Sequence, residues 1–125
     1  ADVFIGVCKG NTVTRAQVAS MADNAIVFAL ANPIPEIMPD EAKKAGALVV
    51  ATGRSDFPNQ LNNVLGFPGI FRGALDHGVR DITNEMLVKA ALKLARLIAK
   101  PTANMIISSP FDKRVVPAVA NAIRE

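Results

Sequence analysis

Residues 25–53 read AIVFALANPIPEIMPDEAKKAGALVVATG, and the alternation inside this stretch decides the fold. Two short apolar runs, Ala25 to Ala31 and Ala47 to Ala51, are dense in β-favouring side chains and too short for core helices. Between them the signals are helical. Pro39 suits a first turn, Asp40 and Glu41 complement the positive end of a helix dipole, Lys43 and Lys44 the negative end, and Gly46 stops the helix. The stretch is strand, helix, strand.

Working outward toward the N-terminus, Val3 to Val7 is a third run of the same kind, closed by Gly6, Lys9 and Gly10. Thr14 to Ala22 reads as a helix opened by a capping box, with Thr14 at N-cap and Gln17 at N3, that buries Val18, Met21 and Ala22. Continuous apolar strands joined by short crossover helices imply right-handed βαβ units, so the expected fold is α/β: a parallel sheet of fully buried strands with helices on both faces. Toward the C-terminus, Arg54 to Gly66 lacks periodicity and reads as a loop long enough to suspect function. A helix led by Pro68 should end near Gly78. Thr83 to Ala99 should be a longer one, with Met86, Leu87, Ala90, Ala91, Leu94 and Ile98 on one face and Pro101 ending it. A last helix should begin just before Pro117, which its interior would not tolerate. No internal repeat, low-complexity stretch or linker interrupts the chain, which reads as one α/β unit.

Composition bounds the function. The 125 residues carry 14 basic and 11 acidic side chains, a net charge of +3, without a basic run, and neither Trp nor Tyr is present to stack bases. Nucleic acid is not an expected partner. No apolar run approaches the length of a bilayer span and no signal-peptide pattern opens the chain, so the expectation is a cytoplasmic protein without a membrane partner. One cysteine, Cys8, and one histidine, His77, cannot form a structural zinc cluster. With so few general acids and bases, a self-contained active site would be unusual.

In open parallel sheets ligands bind beyond the carboxyl ends of the strands. The residues there are Cys8, Lys9, Gly10 and Asn11, then Asn32, Pro33 and Pro35, then Gly53, Arg54, Ser55 and Asp56. Each set mixes small residues with amide or charged groups, which serves a ligand or simply forms turns. The following loop, SDFPNQLNNVLGFPG at residues 55–69, sets three asparagines and a glutamine among the apolar anchors Phe57, Leu61, Val64 and Leu65. Such amides suit a carboxamide or a hydroxy acid.

ADVFIGV, VFALANPIPEIMPDEA, VVATGRSDFPNQLNNVLGFPGIFRGALD and SPFDKRVVPAVA together resemble the carboxyl-terminal half of the nicotinamide-binding domain of malic enzymes, over essentially all of residues 1–125. The resemblance implies a Rossmann-like sheet, here the second half of a doubly wound domain. It implies oxidative decarboxylation of malate to pyruvate and carbon dioxide by a homo-oligomer, with NAD or NADP as hydride acceptor and Mg or Mn on the hydroxy acid. By the same resemblance Asn32 contacts the nicotinamide end of the cofactor, Cys8 and Gly10 belong to the cofactor-binding loop, and Asn62 and Asn63 hold malate. Cys8 stands where serine is more usual in the family. The family's glycine-rich pyrophosphate turn, its ribose-reading acid, its catalytic tyrosine and lysine and its metal ligands lie upstream, so this chain is expected to need the missing N-terminal part. No catalytic residue and no metal ligand is assigned within it. The other class in play is a noncatalytic Rossmann-like module for nucleotide binding or association.

Other polar residues have plainer readings. Cys8 reads as a small buried side chain, His77 as a complement to a helix dipole and Asp56 as an acceptor that stabilises its loop. Arg54 divides evenly between binding an anion and bracing the loop. Lys89, Lys93, Arg96 and Lys100 read as the solvated face of a helix.

Overall fold

The computed structural model describes residues 1–124. Its elements run β1 (Val3–Gly6), α1 (Arg15–Ala19), β2 (Ile26–Ala29), α2 (Pro39–Lys44), β3 (Val49–Thr52), a 3-10 turn (Asn63–Leu65), α3 (Phe67–His77), α4 (Asn84–Ala95) and α5 (Val115–Ala120). Where the sequence reads as one unit, contacts group the chain in two: Ala1–Leu61 with Thr102–Met105, and Asn62–Pro101 with the residues from Ile106 on.

The first unit carries the sheet. Its three strands are all parallel in the order β1-β2-β3, paired Phe4↔Val27↔Val50 and Gly6↔Ala29↔Thr52. Helices α1 and α2 touch each other and so share a face of the sheet, as sequential right-handed crossovers require. Val18 from α1 and Ala42 from α2 close over Val27, Ala29 and Val50, with Ile37 and Ala47, and Phe4 packs at the margin. Full burial of a Val or Ile side chain contributes about 1.5–3 kcal/mol each, so this cluster holds the unit together.

The start of α1 follows the sequence closely. Thr14 caps it: its hydroxyl accepts from the Gln17 N–H at 3.3 Å and the Gln17 side chain accepts from the Thr14 N–H at 2.8 Å. The helix then stops at Ala19 and not Ala22, because the Ser20 hydroxyl donates back to the Gln17 carbonyl at 2.8 Å. Val18 is buried, Met21 half-buried and Ala22 exposed.

Strand burial corrects a second expectation. β3 is buried as expected, but in β1 Val3 is 48% and Ile5 61% exposed, and beyond it Val7 is 77% exposed. An apolar run fixes strand propensity; whether both faces are covered depends on what else packs there, which a local pattern does not encode.

In the second unit α3 and α5 approach closely because Gly69 and Gly73 lack side chains. A Cβ on Gly73 would stand 2.4 Å from the Ala120 carbonyl oxygen, and one on Gly69 2.6 Å from Val119 Cβ. Met86, Ala90, Val119, Ala122 and Ile123 form the core, with Ile70, Ala74, Val79 and Leu94 against it. Helix α3 ends at Gly78, whose φ of +64° is a left-handed cap. α4 is capped by Thr83 as its sequence suggests, yet it ends at Ala95, short of Ala99. The Leu97 and Ile98 amides bond back three residues, to Leu94 and Ala95, so the chain tightens into 3-10 turns well before Pro101. The apolar face is narrower too: Met86 and Ala90 are buried, while Leu87 and Ala91 are exposed. α5 begins two residues before Pro117. Among the described residues no helix is long and apolar enough to cross a membrane.

Candidate functional site

The sheet register sets the ends of β1, β2 and β3 level, since Gly6, Ala29 and Thr52 are paired neighbours. The loops that follow them therefore leave from one edge of the first unit. Asn32 and Arg54 emerge on this same edge, as the parallel reading requires. Asn32 is exposed, and the Asn32–Pro33 peptide is cis.

The loop after β1 is fastened to the loop after β2. The Asn11 N–H donates to the Pro35 carbonyl at 3.1 Å and the Val13 N–H to the Glu36 carbonyl at 3.0 Å. Gly10 lies against Ile34, where a Cβ would come within 2.7 Å of the carbonyl oxygen. Asn11 takes a left-handed φ of 56°, which asparagine tolerates. The Cys8 thiol is exposed, with Thr12 Oγ1 3.9 Å away, and this overturns the buried reading. The reason is the early end of β1 at Gly6, which leaves Val7 and Cys8 outside the sheet.

Beneath these loops lies a residue that periodicity did not single out. Glu36 is fully buried; one carboxylate oxygen accepts the Cys8 N–H at 2.9 Å and the other the Ala31 N–H at 3.0 Å. A lone acid between Pro35 and Ile37, inside an otherwise apolar IPEIMP, was the available signal. Burying a carboxyl costs several kcal/mol unless hydrogen bonds compensate it, so such a residue is held for a reason.

After β3 the loop is braced from within. The Arg54 guanidinium grips Asp56 through two bonds of 2.8 and 2.6 Å and lies 5.4 Å from the Phe57 ring centroid. Hydrogen bonding from Arg54 holds the Asp56 carboxyl below its ordinary range, and the same bond raises the arginine. Of the two readings of Arg54, the geometry favours the brace, and Asp56 is the loop acceptor expected of it. Asn59 also serves the loop: buried, it donates to the carbonyls of Val50 at 3.0 Å and Ala103 at 2.8 Å. Its left-handed φ of 58° marks the turn that allows this.

Asn62 and Asn63 belong to the second unit and open its 3-10 turn. The Asn62 side chain caps that turn by accepting from the Val64 N–H at 3.1 Å. Asn63 presents an exposed side chain, while its carbonyl accepts the Gly66 N–H at 2.9 Å. His77 is the last residue of α3, and its Nδ1 donates to the Ile123 carbonyl at 2.8 Å. Among the described residues no three His, Cys, Asp or Glu are grouped to hold a metal ion.

At the strand ends, then, an exposed asparagine amide offers both a donor and an acceptor, and two small-residue loops are locked together around a buried carboxylate. That donor set fits the carboxamide end of a nicotinamide cofactor, which needs both. The comparisons point the same way. The chain is 57% identical over 125 residues to the bifunctional malic/malolactic enzyme of Bacillus subtilis, covering 98% of this chain and 30% of that protein. It is 50% identical to the NAD-dependent malic enzyme of Geobacillus stearothermophilus, covering all of this chain and 26% of the relative. Among solved structures, the malic enzyme of Pyrococcus horikoshii superposes with a TM-score of 0.93 at 50% identity, over 98% of this chain and 29% of that one. The chain thus spans less than a third of the length of these relatives. The family model described as the NAD-binding domain of malic enzyme matches residues 1–123, and the chain belongs to that family.

Proposed function

We propose that residues 1–125 are the C-terminal part of the NAD(P)-binding domain of a malic enzyme, which oxidatively decarboxylates malate to pyruvate and carbon dioxide. The observation that carries this is the level edge of the parallel sheet, with the Asn32 amide leaving it, in a chain that matches the family from residue 1 to 123. A nicotinamide cofactor held here would supply the hydride acceptor for C2 of malate. This chain's own residues bind and orient. The Asn32 side chain hydrogen-bonds the nicotinamide end, and the loop carrying Cys8 and Gly10 lies along the cofactor beside it. The exposed Asn63 amide, with Asn62 beside it, hydrogen-bonds the hydroxy acid without adding charge near its carboxylates.

By the resemblance to the family, the ligands for Mg or Mn and the groups that move protons lie upstream of this segment, and among the described residues no three His, Cys, Asp or Glu are grouped to hold a metal ion. The remaining part of the polypeptide is accordingly the first partner of this chain, and a homo-oligomer in the cytoplasm is the working form. Relatives named NAD-dependent and NADP-dependent both match, so the reading covers either nucleotide. The test is an assay of the longer polypeptide for malate-dependent formation of NADH or NADPH, with pyruvate measured in parallel. Equal amounts of reduced nucleotide and pyruvate are the expected result. Tight nucleotide binding with no malate oxidation would instead make the protein a noncatalytic module.

A further inference from the structure

The proposed function uses the exposed Asn32 amide of the loop after β2 and leaves the buried carboxylate of Glu36, which holds that loop to the one after β1, unexplained. We propose that Glu36 is a positioning residue for the cofactor: it locks the loops after β1 and β2 in the one relative placement that presents Cys8, Gly10 and Asn32 to the nicotinamide end. The inference rests on the reading of this edge as the cofactor site, and it assigns Glu36 no contact with cofactor or substrate.

Three observations carry it. The two oxygens are divided between the two loops, one taking the N–H of Cys8, two residues past β1, and the other that of Ala31, two residues past β2 and adjacent to Asn32. Glu36 is 0% exposed, and among the described residues its partners are backbone amides and not a cation, so packing alone would be better served by an apolar side chain. Gly6, the last residue of β1, is shaped to it: a Cβ there would stand 2.5 Å from the carboxyl carbon and 2.6 Å from Oε1. The strand therefore ends in glycine where the carboxylate crosses it. A glutamine would keep one acceptor but turn an N–H2 toward the second amide, and an aspartate is one methylene short of spanning both.

The test uses the longer enzyme with Glu36→Gln, Glu36→Asp and Gly6→Ala, and the Gly6→Ala/Glu36→Gln pair. Three quantities are read: NAD and NADP dissociation constants by calorimetry, amide hydrogen exchange at Cys8 and Ala31 without nucleotide, and the KM for malate. Glu36→Gln should weaken the nucleotide about tenfold and leave malate KM within about twofold, the size expected for one misplaced polar contact. Protection at the Cys8 and Ala31 amides should fall in the same variant. Gly6→Ala should do the same by displacing the carboxylate, and the pair should be no worse than either alone, since both act through one contact. A folded Glu36→Gln protein that loses amide protection yet binds nucleotide normally overturns the proposal. So does failure of both Glu36→Gln and Glu36→Asp to fold, which would make the residue a requirement of the fold only. If the unaltered enzyme neither binds nucleotide nor oxidises malate, the proposed function itself has failed and this inference falls with it.

Discussion

Adjacent asparagines in the 3-10 turn should separate binding from stability. Asn63 is exposed, and among the described residues its side chain makes no hydrogen bond, so truncating it to alanine removes nothing that holds the fold. Asn62 is different, because its Oδ1 caps the turn by accepting from the Val64 N–H at 3.1 Å. In the longer enzyme Asn63→Ala should lower kcat/KM for malate by roughly tenfold to hundredfold, the cost of about 1–3 kcal/mol for a lost hydrogen bond to the substrate. Its melting temperature should stay that of the unaltered protein. Asn63→Asp should lose more than the alanine variant, since it places a negative charge against a substrate that is itself a dianion. Asn62→Ala should instead cost about 0.5–1 kcal/mol of stability, the lower end of the range for a lost N-cap, and Asn62→Asp should restore it. Steady-state kinetics and thermal melts on the four variants give the pattern. Unchanged malate efficiency in Asn63→Ala would refute the reasoning, and so would a melting-temperature loss in that variant equal to that of Asn62→Ala.

Three further outcomes follow from the structure. Gly73→Ala should destabilise despite a gain of about 1 kcal/mol in helix propensity, because the added Cβ meets the Ala120 backbone at 2.4 Å and overpacking of this kind costs about 1–3 kcal/mol; a denaturant melt no lower than wild type would be against it. Hydrogen bonds from the Arg114 guanidinium, and then its backbone N–H, hold the Asp112 carboxyl down to about 2, so the stability it gives is complete above its ordinary value of 3.8 and is lost as pH falls toward 2. NMR titration of Asp112 should show that midpoint moving up toward its ordinary value in Arg114→Ala. The 125-residue chain by itself should form no NADH or NADPH from malate, and measurable turnover by a pure preparation would contradict the placement of the acid, base and metal ligands elsewhere.

Local chemistry made much of this fold readable. Thr14 and Gln17 announce their capping box, Pro39 and the charges after it delimit α2, and Pro117 sits in the first turn of α5, all through contacts within a few residues. Asn32 could be placed at a sheet edge because strand direction follows from the length of the crossovers. What escaped depends on distant partners. The exposed side of β1 and the exposed Cys8 are set by what packs around them, and the end of α4 by a change of hydrogen-bond register after Ala95. Glu36 and Asn59 look like ordinary loop residues until their partners are known, 28 residues away at Cys8 and 44 away at Ala103. Arg54 could not be decided from sequence because a guanidinium suits an anionic ligand and a neighbouring Asp56 equally well.

Under the proposed function, hydride passes from a hydroxy acid to a nicotinamide held at the strand-end edge. Malate carrying deuterium at C2, given to the longer enzyme with NAD or NADP, tests it directly by mass spectrometry of both products. The expected result is one deuterium per reduced nucleotide, with an equal amount of pyruvate that carries none. Reduced nucleotide without deuterium, or pyruvate formed without any reduced nucleotide, would contradict it.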